Sequence, residues 1–367
     1  MYQYILLLVI PTICSVLYFT YSEYINTEKT IIKQRNPLLI VFFICFLLIL
    51  VLRHESIGRD LENYKFIFTT SKQFSYKAYP IFSEEWLFKW TNIFIGQITK
   101  DYQIYLTIIA VITILPIAYT YCQQKNHGYV QMIIFVNMST FIMIFSGIRQ
   151  SLAIALGMVA YQFVKNKKLI WFLLFAYLAL AMHHSGFMVF LMYPMYHAKL
   201  KKQYLIFVVP TIVLIFLFKN QIFVFLTKFF SETTDKYGSE ITNTGAYMSL
   251  VLFAIITIFI YVVSSDEKMD NEAFGLRNFL VLTVLLQIFA SLHPLSMRLN
   301  YYYIIFIPMA VGRCLNFKKT KYKEIADLGE IVLCVFFTVY FIWATYNSFI
   351  TGKSTLDTIP YKFFWER

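Results

Sequence analysis

Long apolar runs alternate with short polar turns along most of the chain, and this pattern predicts a bundle of membrane helices. A run of about 20 apolar residues crosses a bilayer as a helix, and shorter runs can do so inside a bundle. By this criterion we predict an all-α, polytopic integral membrane protein with about twelve membrane-spanning helices. The predicted spans are 3–20, 37–52, 102–121, 129–145, 151–164, 169–183, 186–198, 204–218, 246–263, 278–292, 301–315 and 330–346.

The composition supports this class of protein. Of the 367 residues, 59% are hydrophobic and only 14% are charged, whereas soluble domains are about half apolar and a quarter charged. The net charge of +12 does not indicate nucleic-acid binding, because the basic residues lie between apolar spans and form no patch on a soluble fold. The five cysteines form no C-x-x-C pair, which indicates packing residues and no metal or disulfide framework.

The basic turns predict the orientation of the chain, because Lys and Arg collect in cytoplasmic loops. Four short basic turns alternate correctly if all are cytoplasmic, namely 21–36, 165–168, 199–202 and 313–323. We therefore predict one membrane domain over residues 1–367, with both termini external. Its larger external segments are 53–100, which includes a surface or re-entrant helix near 81–98, the loop 219–245, and the aromatic tail 347–367.

The unusual polar residues fall on this external side. Arg53, Arg59 and Asp60 flank Gly58 in a turn directly after the second span. Guanidinium groups suit phosphate oxygens and carboxylates suit sugar hydroxyls, so this turn is a candidate pyrophosphate and sugar site. The alternative is an interfacial turn whose long side chains reach toward water.

Two more candidates lie at the ends of one hairpin whose turn is the basic stretch 165–168. Arg149 is expected in the first turn of a helix, where the helix dipole disfavours a cation, so an anionic partner or ligand is expected. His183 breaks the chain between two spans and is a candidate general base, since histidine titrates near neutral pH. Interfacial snorkelling of the arginine and a polar turn at the histidine are the alternatives.

Two further residues lie later on the same predicted side. Arg298 stands in a short external turn, predicted over 293–298, before a run of tyrosines that suit either the interfacial belt or a sugar groove. Tyr361 belongs to the aromatic tail, which is expected to lie along the membrane surface.

The order of these motifs is more informative than any one of them. R-x(4)-G-x-D-x(3)-Y from Arg53 is followed by E-E-W at 84–86, S-G-I-R-Q-x-L-A around Arg149, A-x-H-x-S-G around His183, Arg298 before the tyrosines, and a late P-Y at Tyr361. This ordered set resembles the EpsG family, the Wzy-like polymerases of bacterial exopolysaccharide, capsule and O-antigen, over most of the chain.

The resemblance implies a glycosyltransferase of the bacterial inner membrane with a GT-C-like helical fold. Such an enzyme transfers a glycan from undecaprenyl diphosphate to the non-reducing end of another lipid-linked repeat unit, outside the cytoplasm. It implies no cofactor and no metal, and it suggests a chain-length regulator as a partner.

The resemblance also implies roles for residues at the matching positions. Arg149 and Arg298 would bind the diphosphate with help from Arg53 and Arg59, and His183 or Asp60 would be the base. The family's acidic residue falls at Glu84 or Glu85, with Glu85 preferred, and Tyr361 would contact substrate.

Three other functions remain as alternatives. An O-antigen ligase would carry its largest external loop late in the chain, whereas here the longest external segment, 53–100, is early. A transporter or flippase for the lipid-linked glycan would bury charged residues in the middle of spans, and few are visible there. A membrane acyltransferase would need a histidine and an acid inside the membrane, which fits the external arginines less well.

Overall fold

The computed structural model describes residues 2–25, 36–71, 73–227 and 246–366 of the chain, and these residues are overwhelmingly helical. The prediction of an all-α protein is confirmed. Among the described residues, β-pairing is limited to two isolated bridges, Arg53 with Phe363 and Ser264 with Lys318.

The described residues fold into α-helices that range from 6 to 29 residues in length. They are α1 Tyr2–Ile25, α2 Pro37–Leu52, α3 Leu61–Ser71, α4 Trp86–Ile98, α5 Tyr102–Cys122, α6 Gly128–Asn137, α7 Ser139–Ser146, α8 Ile148–Lys165, α9 Leu169–Met182, α10 Met192–His197, α11 Leu205–Leu217, α12 Lys219–Thr227, α13 Tyr247–Val263, α14 Asn271–Ala290, α15 Pro294–Ile304, α16 Ile307–Leu315 and α17 Lys323–Thr351.

Several helices are long and apolar enough to cross a membrane. In the described part of the chain, three qualify singly: Tyr102–Cys122, Asn271–Ala290 and Thr320–Thr351. Two bent pairs raise this to as many as five: Gly128–Asn137 with Ser139–Ser146, and His184–His197 with Lys202–Leu217. The protein is therefore a membrane protein, while the count of about twelve spans and the GT-C-like fold stay predictions.

The surface of α17 fits a lipid environment. Its side chains Ile331, Val335, Val339 and Trp343 follow one another at intervals of four residues and are each more than half exposed. Residues four apart share one face of a helix, so these side chains form an apolar stripe. A stripe of this kind is unfavourable in water and suits contact with hydrocarbon.

The predicted span 129–145 and the predicted turn 293–298 are among the elements that differ from the observed ones. The predicted span 129–145 is two helices bent by 59°, because Met138 is extended and the Asn137 amide donates to the carbonyls of Ile133 and Phe337. The turn predicted over 293–298 is wrong, because α15 already begins at Pro294. Proline is well suited to the first turn of a helix, where its missing N–H costs no hydrogen bond.

The described residues form two compact units. The first comprises Met1–Phe190 and Glu330–Arg367, and the second comprises Leu191–Gly329. The prediction of a single membrane domain is not tested by this division, and the predicted sidedness also stays a prediction.

In the first unit, α2 supplies a core of aromatic side chains. Phe42 and Phe46 are fully buried and pack on Phe135, with ring centroids 5.7 and 5.9 Å apart. Phe145, at the end of α7, continues this cluster at 5.8 Å from Phe46. The aromatic core therefore reaches the end of α7, directly beside the candidate site.

The second unit is built around α14, which is mostly buried. Its Arg277 is fully buried and donates to Asp266 at 2.6 Å and to the carbonyl of Leu200 at 2.9 Å. The predicted external loop 219–245 begins as helix α12, and residues 228–245 lie outside the described residues. Most of the basic turn 21–36, namely 26–35, also lies outside them.

Candidate functional site

The helical hairpin of α8 and α9 brings Arg149 and His183 to one end of the first unit. Arg149 is the second residue of α8, and His183 follows the last residue of α9. The chain turns tightly after His183, since a Cβ on Gly186 would lie 2.3 Å from the carbonyl oxygen of Ala179. Only glycine permits this approach, which accounts for the glycine in the H-x-S-G motif.

Glu85 joins these two residues. Its carboxylate accepts a hydrogen bond from the Arg149 guanidinium and one from His183 Nδ1 at 2.6 Å. The backbone N–H of His184 also donates to it, at 3.4 Å. The unfavourable position of Arg149 in the first turn of a helix is thus compensated by a carboxylate from another part of the chain.

The backbone at Glu85 is strained. Glu85 occupies the position before α4 with φ 48° and ψ 35°, and its side chain makes no capping hydrogen bond to that helix. A left-handed conformation is costly for a residue other than glycine, and such strain collects at functional sites. Of the two glutamates left open by the sequence, Glu85 is buried and Glu84 is exposed.

The charge on Glu85 determines which ring nitrogen of His183 carries the hydrogen. Burial raises the pKa of this carboxyl, but the hydrogen bond and the charge of His183, together with the charge of Arg149, outweigh burial and lower the pKa to about 2. An ionised carboxylate only accepts hydrogen bonds, so His183 donates from Nδ1. In the neutral imidazole the lone pair then lies on Nε2, as in histidines that act as bases beside a carboxylate.

Two aromatic rings enclose the Arg149 guanidinium. Its central carbon lies 6.0 Å from the ring centre of Tyr64 and 5.9 Å from that of Phe88. Tyr64 is buried and hydrogen-bonds to Arg149. No role is predicted for Tyr64 from the sequence, although its position four residues after Asp60 in the motif points to it.

Asp60 is held beside the start of α8 by a tight turn. Its backbone N–H donates to Ser146 Oγ at 3.1 Å, and Ser146 Oγ donates to its carboxylate at 3.0 Å. Gly58 makes this possible, with φ 126° and a Cβ position only 2.3 Å from the carbonyl oxygen of Phe145. The Asp60 carboxylate is therefore fixed against the segment that leads to Arg149.

Arg53 and Tyr361 lie inside the protein. Arg53 is 2% exposed and donates to the Phe145 carbonyl at 2.5 Å. Burial lowers the pKa of Arg53 to about 10, against the opposing effect of nearby tyrosines, so the side chain stays cationic at neutral pH. Tyr361 is buried and donates to the Ile49 carbonyl at 2.8 Å.

The C-terminal segment also holds the turn around Gly58 through backbone hydrogen bonds. His54 N–H donates to the Lys362 carbonyl at 2.9 Å, and Phe364 N–H donates to the Leu52 carbonyl at 2.9 Å. The N–H groups of Gly58 and Arg59 donate to the carbonyls of residues 357 and 356. Arg59 is exposed and pairs with Asp357 at 3.1 Å.

Arg298 belongs to the second unit, where it is half-buried within α15. The substrate-binding roles of Arg53, Arg59, Glu85, Arg149, Arg298 and Tyr361, and the base role of His183 or Asp60, stay predictions. Within the residues that the structure describes, no group of three or more His, Cys, Asp or Glu side chains is arranged to hold a metal ion.

A model described as the EpsG family matches residues 36–363 of the chain. No curated protein matches the chain. No solved structure matches it either.

Proposed function

This chain belongs to the EpsG family, and from that membership we propose that it is a membrane polysaccharide polymerase, a glycosyltransferase. It would transfer a glycan from undecaprenyl diphosphate to the non-reducing end of another lipid-linked repeat unit, on the external face of the bacterial inner membrane. The observation that carries the proposal is the Glu85 carboxylate bound by both Arg149 and His183. That contact joins an anion-binding group and a base in one place.

Arg149 is the residue proposed to bind the diphosphate. Its side chain is 31% exposed, and a guanidinium has five N–H donors, so one edge can face Glu85 while others face phosphate oxygens. A fixed cation at the leaving group stabilises the charge that develops as the glycosidic bond breaks. Arg59, which belongs to the same unit as Arg149, is assigned as a further contact to the anion, and the role of Arg298 stays a prediction.

His183 is proposed to remove the proton from the acceptor. The acceptor hydroxyl gives its proton to Nε2 of His183 as its oxygen bonds to the anomeric carbon of the donor glycan. The bond from that carbon to the diphosphate oxygen breaks, and undecaprenyl diphosphate leaves with the electron pair. Glu85 stabilises the imidazolium that forms. Asp60 is the alternative base, and the contact of His183 with Glu85 favours His183.

Arg53 and Tyr361 were predicted to contact substrate, and we propose instead that they position the turn around Gly58. Both are buried, and both bond to backbone carbonyls of the first unit. A buried guanidinium that donates to the Phe145 carbonyl fixes the residue directly before Ser146, which holds Asp60. A chain-length regulator stays a predicted partner.

The test is polymerisation of the host's lipid-linked repeat unit in membrane vesicles. We expect the long-chain ladder to be lost in Arg149→Ala and in His183→Ala, while both proteins still insert into the membrane. Lys167→Ala is the control, because it removes an exposed cation at the other end of the same hairpin and should leave the ladder intact. Normal ladders in both site variants would refute these roles.

The same vesicles distinguish the alternatives. A ligase and a polymerase use the same kind of donor but different acceptors. Product that is joined only to lipid A–core would therefore identify a ligase. Glycan that crosses the bilayer without any new glycosidic bond would identify a flippase. A polymerase produces longer glycans on undecaprenyl diphosphate.

A further inference from the structure

An exposed phenylalanine stands beside the candidate site in a strained conformation. Phe82 is 83% exposed and has φ 76°. For a bulky residue this backbone conformation is an outlier, and it presents a large apolar ring to the surroundings. Strain of this kind persists where surrounding structure maintains it, and it marks functional loops.

The ring of Phe82 belongs to a small aromatic surface. Its centre lies 5.8 Å from that of Tyr177 on α9, at an interplanar angle of 48°. The Tyr177 hydroxyl accepts a hydrogen bond from Trp86 Nε1 at 3.1 Å. Tyr177 is therefore held in place six residues before His183, and Phe82 packs beside it.

An exposed ion pair completes this surface. His184 Nε2 and a Glu84 carboxylate oxygen are 2.6 Å apart, with 47% and 66% of their side chains exposed. The His184 hydrogen bond lowers the pKa of the Glu84 carboxyl, so Glu84 is ionised at neutral pH. An exposed pair contributes little to stability. Each partner is the chain neighbour of a residue of the candidate site, Glu85 or His183.

We propose that Phe82, Glu84, Tyr177 and His184 form a glycan-binding surface that holds the sugar of the acceptor beside His183. The proposal rests on the proposed function and names the part of the site that binds sugar. Aromatic faces pack against the C–H face of a sugar ring, and the carboxylate and imidazole exchange hydrogen bonds with its hydroxyls. Binding sites combine such apolar faces with a few placed polar groups.

A membrane surface is the other ligand that exposed aromatic side chains bind. Anionic lipid headgroups repel an exposed carboxylate. Here an ionised carboxylate is two-thirds exposed in the same loop as Phe82. The charge of the surface thus favours a hydroxyl-rich ligand over lipid.

The test uses the full chain in lipid nanodiscs, with the repeat-unit oligosaccharide released from its native lipid carrier by mild acid. We expect Phe82→Ala to weaken oligosaccharide binding, measured by saturation-transfer NMR, by about tenfold. The KM for the acceptor should rise equally, with kcat changed less than about twofold. Phe66→Ala, which removes another exposed phenylalanine outside this surface, is the matched control.

A second variant decides between sugar and lipid. We expect the indole introduced by Phe82→Trp to change its emission when the oligosaccharide is added and to be unaffected by brominated lipid chains. Quenching by brominated lipid without a response to oligosaccharide would identify a membrane anchor and overturn the proposal, as would wild-type oligosaccharide affinity in Phe82→Ala.

These outcomes are separable from the proposed function. If Arg149→Ala and His183→Ala lose the polysaccharide ladder while Phe82→Ala binds oligosaccharide like the wild type, the glycan surface fails and the polymerase proposal stands. If the wild type binds oligosaccharide through Phe82 but makes no polymer, the polymerase proposal fails and the surface stands.

Discussion

The Glu85 carboxylate and the His183 imidazole, 98 residues apart in the chain, are joined by a 2.6 Å hydrogen bond at Nδ1. Because Glu85 is ionised and buried, this contact fixes both the tautomer and the direction of the imidazole. The same carboxylate binds Arg149. One side chain therefore sets the geometry of the two groups to which chemistry is assigned.

Glu85→Gln should lower turnover strongly. The amide keeps the size of the side chain but has no negative charge to orient and stabilise the imidazole. We expect kcat to fall by about 10² to 10⁴, with a smaller change in KM, in assays of chain extension per folded molecule. Glu62→Gln, an exposed glutamate of α3, should change kcat by less than about twofold. Equal kcat in the two variants would contradict the role of Glu85.

At low pH the protein should lose the folding stability that the ionised Glu85 carboxylate contributes. Its pKa in the folded protein is lowered from the ordinary 4.5 to about 2. The contribution is therefore fully present above about pH 4.5 and is lost as the pH falls toward 2, and it is of the order of 3 kcal/mol.

The measurement for this acid effect is the free energy of unfolding of the wild type and of Glu85→Gln in detergent, between pH 7 and pH 2. We expect the difference between the two proteins to be constant above about pH 4.5 and to shrink below it. A difference that does not shrink as the pH falls toward 2 would contradict the lowered pKa of Glu85.

Gly58→Ala should destabilise the turn that carries Asp60. A Cβ at this position would lie 2.3 Å from the Phe145 carbonyl oxygen, and φ is 126°. Both effects force the backbone to move, at a cost of about 3 kcal/mol.

The control for this glycine is also in the first unit. Gly352 has φ 63° but no atom within 4 Å of its Cβ position, so Gly352→Ala should cost only about 1 kcal/mol. Thermal unfolding of both variants measures the difference. Equal losses of stability would show that the close approach to Phe145 is unimportant.

The sequence pattern predicts the helices that carry this site better than it predicts the contacts between the side chains of the site. The basic turn at 165–168 correctly pairs α8 with α9 and places Arg149 and His183 at the same end, because a short turn makes neighbouring helices antiparallel. The choice of Glu85 over Glu84 depends on a strained backbone in a loop that has no periodic pattern. The burial of Arg53 depends on its contacts with Phe145 and Phe363. Both partners are at least 92 residues away in the chain, so local hydrophobicity does not predict these contacts.

Hydropathy also fails to predict where a helix breaks. The runs 129–145 and 301–315 are predominantly apolar, and each is interrupted where hydrogen bonding or a proline favours a new helix. Asn137 bonds to the Phe337 carbonyl across 200 residues, and Pro308 stands at the start of α16. An average over a window of residues detects neither.

Tyr361→Phe tests whether the tail supports the site or contacts substrate. The phenol donates to the Ile49 carbonyl at 2.8 Å, and its ring packs edge-on against Tyr4 with centroids 6.0 Å apart. Removing the hydroxyl leaves a carbonyl without this donor, so we expect a loss of about 1 kcal/mol in the free energy of unfolding. Turnover per folded molecule should change by less than about threefold.

The matched control is Tyr346→Phe, in a residue of α17 that is 53% exposed. It should change neither the free energy of unfolding nor the turnover. The pair of measurements separates two roles that loss of polymer alone would confuse. A Tyr361→Phe protein of wild-type stability whose KM for the lipid-linked donor rises severalfold would mean that this hydroxyl contacts substrate. Reduced stability with normal turnover would mean that it anchors the C-terminal segment against the turn at Gly58, which is the role that its burial and its bond to Ile49 support.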